Sequence, residues 1–321
     1  REPCAVELFA GAKFKYLAAN VLSGKMEFPA GDELLFPAIA VKDFGPVQVG
    51  FIGMTLKETG TLVTPSGVAG LRFADEAATA NALVPQLRQA GADAIVLLLH
   101  QGAFTKGAWN DKSCPGLSGD VLPILEKLDP AIELVVSGHT HWAYTCELPM
   151  ANGRTRLLTS AGRYGTMLTD IRLTFNARME TLLTKRADLT VVQGEGFTSP
   201  RGASPLVPSF PVYPADPEVK ALVDRYTQAA RPIAERPVAR LAATVTETED
   251  ENLATRGGEL VADAQLAWAK RAGAEIAFMN NSGVRGDLVP RADGSVTYGQ
   301  LFALQPFGNG VIVMDLTGAQ L

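Results

Sequence analysis

A chain of 321 residues with 47% hydrophobic and 20% charged side chains can fill one large core or two, and it is too apolar to stay disordered. Its net charge of −5 lacks the basic face that phosphate backbones require, so no nucleic-acid polymer is expected as a partner. No run approaches the roughly 18 apolar residues of a membrane span, so no transmembrane segment is expected.

Short apolar runs predict strands at 16–20, 47–53, 94–99, 132–137, 156–160 and 169–175. Between them, helical spacing predicts a helix over 74–90, with Ala78, Leu83, Val84 and Leu87 on one face. A second is predicted over 118–128, carrying Val121, Leu122, Ile124, Leu125 and Leu128. Continuous Val/Ile/Leu strands separated by helices predict an α/β domain whose sheet is covered on both faces. Residues 194–216 lack periodicity and hold Pro200, Pro205, Pro208, Pro211 and Pro214, which predicts a linker. A helix is predicted over 217–235. The acidic run 247–251 precedes another over 258–272, then a strand at 275–279, a polar turn, and apolar sequence over 302–315. No internal repeat is present. The chain opens on Arg1-Glu2-Pro3-Cys4 without a leader pattern and stops in strand-like sequence, so a fragment is expected.

The cysteines Cys4, Cys114 and Cys146 form no C-x-x-C pair, which argues against a thiolate zinc site. Cys114 and Cys146 flank one predicted βαβ unit. A disulfide between them would imply an oxidising compartment and leave Cys4 to pair upstream; three buried thiols are the alternative.

The three histidines are concentrated. His100 ends the run Ala94-Ile-Val-Leu-Leu-Leu, and His139 and His141 sit in Gly138-His-Thr-His after the run 132–137. All fall at the carboxyl ends of two strands joined by one crossover, the edge where open α/β sheets bind ligands. A turn after Gly138 would swing His139 and His141 round one cavity. Imidazoles without thiolate suit zinc and, with carboxylates, manganese or iron. For His100 alone, a strand-end histidine bonded to backbone is the plainer reading. The loop Asn280-Asn-Ser-Gly-Val-Arg285 offers backbone N–H groups and a guanidinium to an anion, although Asn280, Ser282 and Gly283 also make an ordinary turn, and Phe307 also suits a core.

These residues, with Leu17-Ala-Ala-Asn20, Gly50-Phe-Ile-Gly-Met-Thr55, Gly91 to Gly102, Cys114-Pro-Gly-Leu-Ser-Gly119, Ser137-Gly-His-Thr-His141, Ser160 to Gly165, Gly258 to Ala264 and Gln305-Pro-Phe-Gly-Asn309, resemble the 5′-nucleotidase family of calcineurin-like metallophosphoesterases. The resemblance implies a metallophosphoesterase-type layered β-sandwich flanked by helices over 1–193, a linker and bridging helix over 194–235, and a second α/β domain, the 5′-nucleotidase C-terminal substrate-binding domain, over 236–321, both domains partial. It implies two divalent metal ions, zinc or manganese, with His100 and His139 on one and His141 on the other. It places the remaining ligands and the catalytic histidine in upstream D-x-H, G-D and G-N-H-E motifs that these residues do not contain. Asn280, Ser282, Gly283 and Arg285 become substrate-binding residues, and Phe307 a ring that stacks on the base.

The implied activity is hydrolysis of small nucleotides to nucleoside and phosphate, in the periplasm or outside the cell. A 2′,3′-cyclic phosphodiesterase/3′-nucleotidase or a nucleotide-sugar hydrolase shares the motifs, and a non-catalytic nucleotide-binding module on the same fold is the alternative of another class. One departure stands out. Where the family often has arginines, Glu247 and Glu251 carry carboxylates, with Arg256 the nearest replacement.

Overall fold

The computed structural model describes residues 12–23, 33–176, 178, 181–199 and 202–321. Two compact units divide between Gln193 and Gly194.

The first unit is built on a six-stranded sheet of β3 (Ile39–Asp43), β4 (Gln48–Met54), β6 (Ala94–Leu99), β7 (Ile132–Val136), β9 (Thr155–Ala161) and β8 (Ala143–Pro149), in that spatial order. The four central strands β4, β6, β7 and β9 are parallel, and β3 and β8 close the edges antiparallel. Beside it lies a small antiparallel sheet of β1 (Val21–Ser23), β2 (Glu33–Leu34) and β5 (Leu71–Phe73), with the one-turn helix α1 (Thr59–Leu62) between β4 and β5.

Helices α2 (Glu76–Gln89) and α3 (Val121–Lys127) form the crossovers into β6 and β7 and cover one face. Asp75 starts α2 by accepting from Ala78 N at 3.0 Å, and Ala77, Ala80, Leu83, Val84 and Leu87 point into the core at helical spacing. Along β6, Ile95, Leu97 and Leu99 join that core while Val96 faces the other way, as a two-residue period requires. The opposite face is covered by the long hairpin of β10 (Met167–Asn176) and β11 (Thr181–Val191). Its Ile171, Leu173 and Phe175 pack on Val49, Val96, Leu134 and Leu157. The layers are therefore helices, sheet and hairpin, the expected sandwich. Each fully buried Leu, Ile or Val contributes about 1.5–3 kcal/mol.

Two buried ionic groups hold the lower half of this sheet. A register shift between Ile95 and Val96 leaves Glu133 as the extra residue of a bulge in β7, and its buried carboxylate meets Lys185 Nζ at 2.8 Å and Arg154. The Arg156 guanidinium, also buried, donates to the carbonyls of Leu125, Leu128 and Asp129 at the end of α3 and to Ile132 O. It thereby satisfies carbonyls that a helix end leaves open.

The second unit contains the hairpin β12 (Phe197–Ser199) and β13 (Gly202–Ser204), helix α4 (Pro217–Ala234), strand β14 (Pro237–Arg240), helix α5 (Arg256–Ala269), strand β15 (Ser295–Thr297) and helix α6 (Tyr298–Leu304). Its core gathers Val284, Leu288, Val296 and Leu304. Thr297 and Gln300 make a reciprocal capping box on α6, and Thr255 caps α5 through Gly258 N at 2.9 Å.

Several expectations need correction. Residues 16–20 form no strand: Ala18 N reaches Pro37 O and Ala19 N reaches Gly53 O, single bonds to two different segments, and ladder pairing starts at Val21. Residues 275–279 and 305–315 have strand-like composition, yet neither joins a ladder among the described residues. The 194–216 stretch is partly ordered by the β12–β13 hairpin. Cys114 and Cys146 are disulfide-bonded, both buried, with Cα atoms 5.6 Å apart. Cys4 lies outside the described residues.

Candidate functional site

The carboxyl ends of β4, β6 and β7 run into Thr55, His100 and Ser137. Asn20, fully buried, ties this edge together: its amide donates to Thr55 O at 2.6 Å and to Ala74 O at 3.1 Å, and it accepts from Thr55 N at 2.8 Å.

His100 and His139 come together here, their ring centres 5.2 Å apart and their planes edge-to-face. Burial, and then the neighbouring His139, holds His100 below the ordinary histidine pKa, which favours the neutral, ligating form although part of the ring stays exposed. His139 also lines a cleft of about 410 Å³ with Gln101, Lys57, Glu76, Asp120 and Lys127. Glu76 is buried in its wall, accepting from Lys57 N at 2.7 Å, and burial raises its pKa.

The turn differs from the expected one. His139 and His141 are the residues with left-handed backbone, at φ 70° and 61°, and Gly138 is not. Thr140 N closes on Gly138 O at 2.8 Å, a three-residue turn centred on His139. Such backbone costs about 1–3 kcal/mol at a non-glycine residue and is typical of functional sites. His141 lies against Tyr164, ring centres 5.9 Å apart. Among the described residues no three His, Cys, Asp or Glu side chains converge. The structure thus brings together His100 and His139, the two ligands expected on one metal, with His141 against Tyr164.

Several supporting residues had no role assigned from the sequence. Ser137 Oγ lies 2.7 Å from the Tyr144 hydroxyl and donates to Thr159 O at 2.8 Å. Thr140 Oγ1 donates to Ala103 O at 2.9 Å, and Trp142 Nε1 to Thr105 O at 3.0 Å. Each is a side chain whose partner is distant in sequence, so local pattern does not reveal it.

In the second unit, Asn281–Gly283 form one helical turn. Asn280 Nδ2 donates to Ser282 Oγ at 2.7 Å, and the N–H groups of Gly283 and Val284 return to Asn280 O and Asn281 O. Those two amides are therefore spent within the turn rather than offered outward. Arg285 and Phe307 meet, the guanidinium 5.2 Å from the ring centre, and Phe307 is exposed rather than core. Glu247 N donates to Asp287 Oδ1 at 2.8 Å, whereas Glu249 brings a carboxylate onto the turn itself, accepting from Asn281 Nδ2 at 2.9 Å. Arg256 is exposed at the start of α5.

Residues 232–321 match the family described as 5′-nucleotidase, C-terminal domain. The chain is 29% identical to the cell wall protein Lmo0130 of Listeria monocytogenes, over 96% of this chain and 38% of that protein. It is 26% identical to the endonuclease YhcR of Bacillus subtilis, over 98% and 22%, and 23% identical to the 5′-nucleotidase of Vibrio vulnificus, over 97% and 56%. Among solved structures, the 5′-nucleotidase precursor of Thermus thermophilus superposes with a TM-score of 0.62 at 22% identity, covering 92% of this chain and 54% of that one. Residues 232–321 thus carry a 5′-nucleotidase C-terminal domain, and over nearly its whole length the chain is similar to 5′-nucleotidases. It spans no more than 56% of any of these relatives.

Proposed function

We propose that this chain serves metal-dependent hydrolysis of nucleotide phosphoesters, as a 5′-nucleotidase releasing nucleoside and phosphate. The observation that carries the proposal is the convergence of His100 and His139 on the ligand-binding edge of the sheet, 5.2 Å between ring centres. Zinc–nitrogen bonds of about 2.0–2.1 Å place a coordinated ring centre about 3.2 Å from the metal, and two such rings at a tetrahedral angle about 5.2 Å apart. His100 and His139 would hold one divalent ion, zinc or manganese, and His141 would serve a second; when bound, such ions polarise phosphoryl oxygens and lower the pKa of water.

The chain's own residues supply the rest of this reading. His100, kept neutral, is ready to ligate without first losing a proton. Arg285 offers a fork for phosphate, and Phe307 an exposed face for a base, worth about 1–3 kcal/mol. Asn280, Ser282 and Gly283 shape the turn that leads into Arg285. A small nucleotide suits the acidic chain better than a polymer does. The buried disulfide and the likeness to a cell wall protein support a periplasmic or secreted setting.

A second substrate reading has one observation in its favour. Glu249 on the Asn281 turn repels a doubly charged monophosphate more than a singly charged diester, which favours a 2′,3′-cyclic nucleotide. The test is a phosphoester panel assayed with the full-length protein and added Mn²⁺ or Zn²⁺. Metal-dependent phosphate release from a nucleoside monophosphate, lost in His139→Ala with unchanged circular dichroism, is expected. Release from diesters alone selects the second substrate reading. Nucleotide binding with no release from any substrate means a binding module and overturns the proposal.

A further inference from the structure

We propose that Tyr144 is a positioning residue that sets the distance between His100 and His139. This inference rests on the metal reading above. Tyr144 lies on β8, a strand that contributes no histidine, and its side chain is wholly buried. Its ring packs in the apolar core with Cys146 and Leu158, so a phenylalanine would fill the space without the need to satisfy a hydroxyl.

The hydroxyl instead joins the two histidine loops. Ala103 N, three residues after His100, donates to it at 3.0 Å. Ser137 Oγ, two residues before His139, lies 2.7 Å away. The serine has a single proton, and Thr159 O takes it at 2.8 Å. The phenol proton therefore goes to Ser137 Oγ, and the phenol oxygen receives Ala103 N–H. One directed chain of hydrogen bonds then runs from the β6 loop through β8 and the β7 loop to β9. Burial raises the phenol pKa, so this proton stays in place at any ordinary pH. Thr140 closes the bracket from the far side of His139 by donating to Ala103 O at 2.9 Å. The N–H and C=O of Ala103 are thus both held by residues that belong with the His139 turn. Two residues further along β8, Cys146 anchors the other end of the same loop through Cys114. With both loops held through Ala103, the left-handed His139 has little freedom to relax away from His100.

The test titrates Co²⁺ into the full-length protein by calorimetry and visible absorption, comparing the parent with Tyr144→Phe, Thr140→Val, His139→Ala and Leu157→Ala. Leu157 is a core residue on the hairpin side of the sheet and controls for lost stability alone. Tyr144→Phe is expected to fold, to lose about 10–100-fold in Co²⁺ affinity and to alter the cobalt absorption band, as loss of a group orienting a ligand does. Thr140→Val should move in the same direction, and Leu157→Ala should melt lower while binding like the parent. If Tyr144→Phe does not fold, Thr140→Val and Ser137→Ala decide the question by the same readout. Parent-like affinity and spectrum in Tyr144→Phe, while His139→Ala loses cobalt, overturns the positioning role and leaves the metal reading standing. An equal loss in Leu157→Ala also overturns it. A parent that takes up no cobalt beyond His139→Ala overturns both.

Discussion

Gly102→Ala should disrupt the site without touching a histidine. Gly102 lies where one histidine loop packs closely on the other. A Cβ there would overlap the carbonyl oxygen of Gly138 and lie 2.6 Å from Thr140 Oγ1 and 3.1 Å from Thr140 Cγ2. Its backbone is not left-handed, so the effect is steric rather than conformational. Because the nearest obstacle is backbone, no rotamer change relieves it, and the Gly138–Thr140 turn must retreat by on the order of 1 Å. That movement breaks the Thr140–Ala103 bond, a loss of about 1 kcal/mol, on top of about 1–3 kcal/mol for overpacking. A total of about 2–4 kcal/mol, at roughly 2–4 °C per kcal/mol for a unit of this size, lowers the melting temperature by about 5–15 °C. A misplacement near 1 Å also lowers turnover by about 100-fold. Gly67→Ala is the internal control, since its Cβ meets nothing within 4 Å and its φ is not positive. Calorimetric melting and phosphate release from the full-length protein measure both effects. A Gly102→Ala protein that melts and turns over like Gly67→Ala would refute the reasoning.

Arg156→Met should destabilise by about 3–5 kcal/mol in urea unfolding, because four carbonyls at the end of α3 and start of β7 lose a buried cation; Arg156→Lys should recover only part of this, lacking the fork. Reduction of Cys114–Cys146, which spans a sequence separation of 32, should lower stability by about 3–4 kcal/mol, read as a fall in melting temperature with dithiothreitol. Asp75→Ala should lower stability by about 1 kcal/mol at neutral pH through loss of the α2 cap. The Asp75 pKa is depressed first by its bond from Ala78 N, so its stabilisation is full above the unfolded value of 3.8 and is lost as pH falls through the folded one. The gap between parent and variant should close below that value, and a gap that persists at pH 2 contradicts the capping account.

The sheet and helices that position the site were legible because their residues answer to one force. In β6 and β7, both faces are covered, so every position is Val, Ile, Leu or Ala apart from the bulged Glu133. In α2, one face is covered, and the helical period shows it. β11 was missed because only its Ala187 and Leu189 are buried, its inward Lys185 pairs with Glu133, and its outer face reads Thr184, Arg186, Asp188 and Thr190. The β8 strand was missed because Thr145 and Glu147 interrupt its apolar pattern. At 275–279 the opposite error occurred. Glu-Ile-Ala-Phe-Met has strand chemistry, but a strand is defined by its partner, which composition does not encode. The disulfide was legible because its two cysteines bracket one crossover, whereas the Tyr144 hydrogen-bond chain joins residues 34 to 41 positions from Ala103 and leaves no periodic trace.

The Gly138-His-Thr-His motif shows why residue type and backbone strain must be kept apart. Glycine invites the expectation that Gly138 takes the left-handed step and carries both histidines to one side. The structure puts that step on His139 and His141, where a side chain opposes it. A Cβ at Gly138 would meet only His100 Nδ1, at an ordinary 3.7 Å, so this glycine is demanded neither by φ nor by crowding. The glycine that the turn requires is Gly102, on the other strand. The strain of about 1–3 kcal/mol per residue at His139 and His141 is offset by bonds from Ser137, Thr140 and Tyr144, each worth about 1 kcal/mol. Two left-handed residues separated by one make the chain corkscrew, so consecutive histidines face different partners: His100 for the first and Tyr164 for the second. A single alternation rule for extended strands would have put both on the same side. The two ring contacts are therefore set by one strained turn, and any substitution that relaxes that turn should alter both placements together.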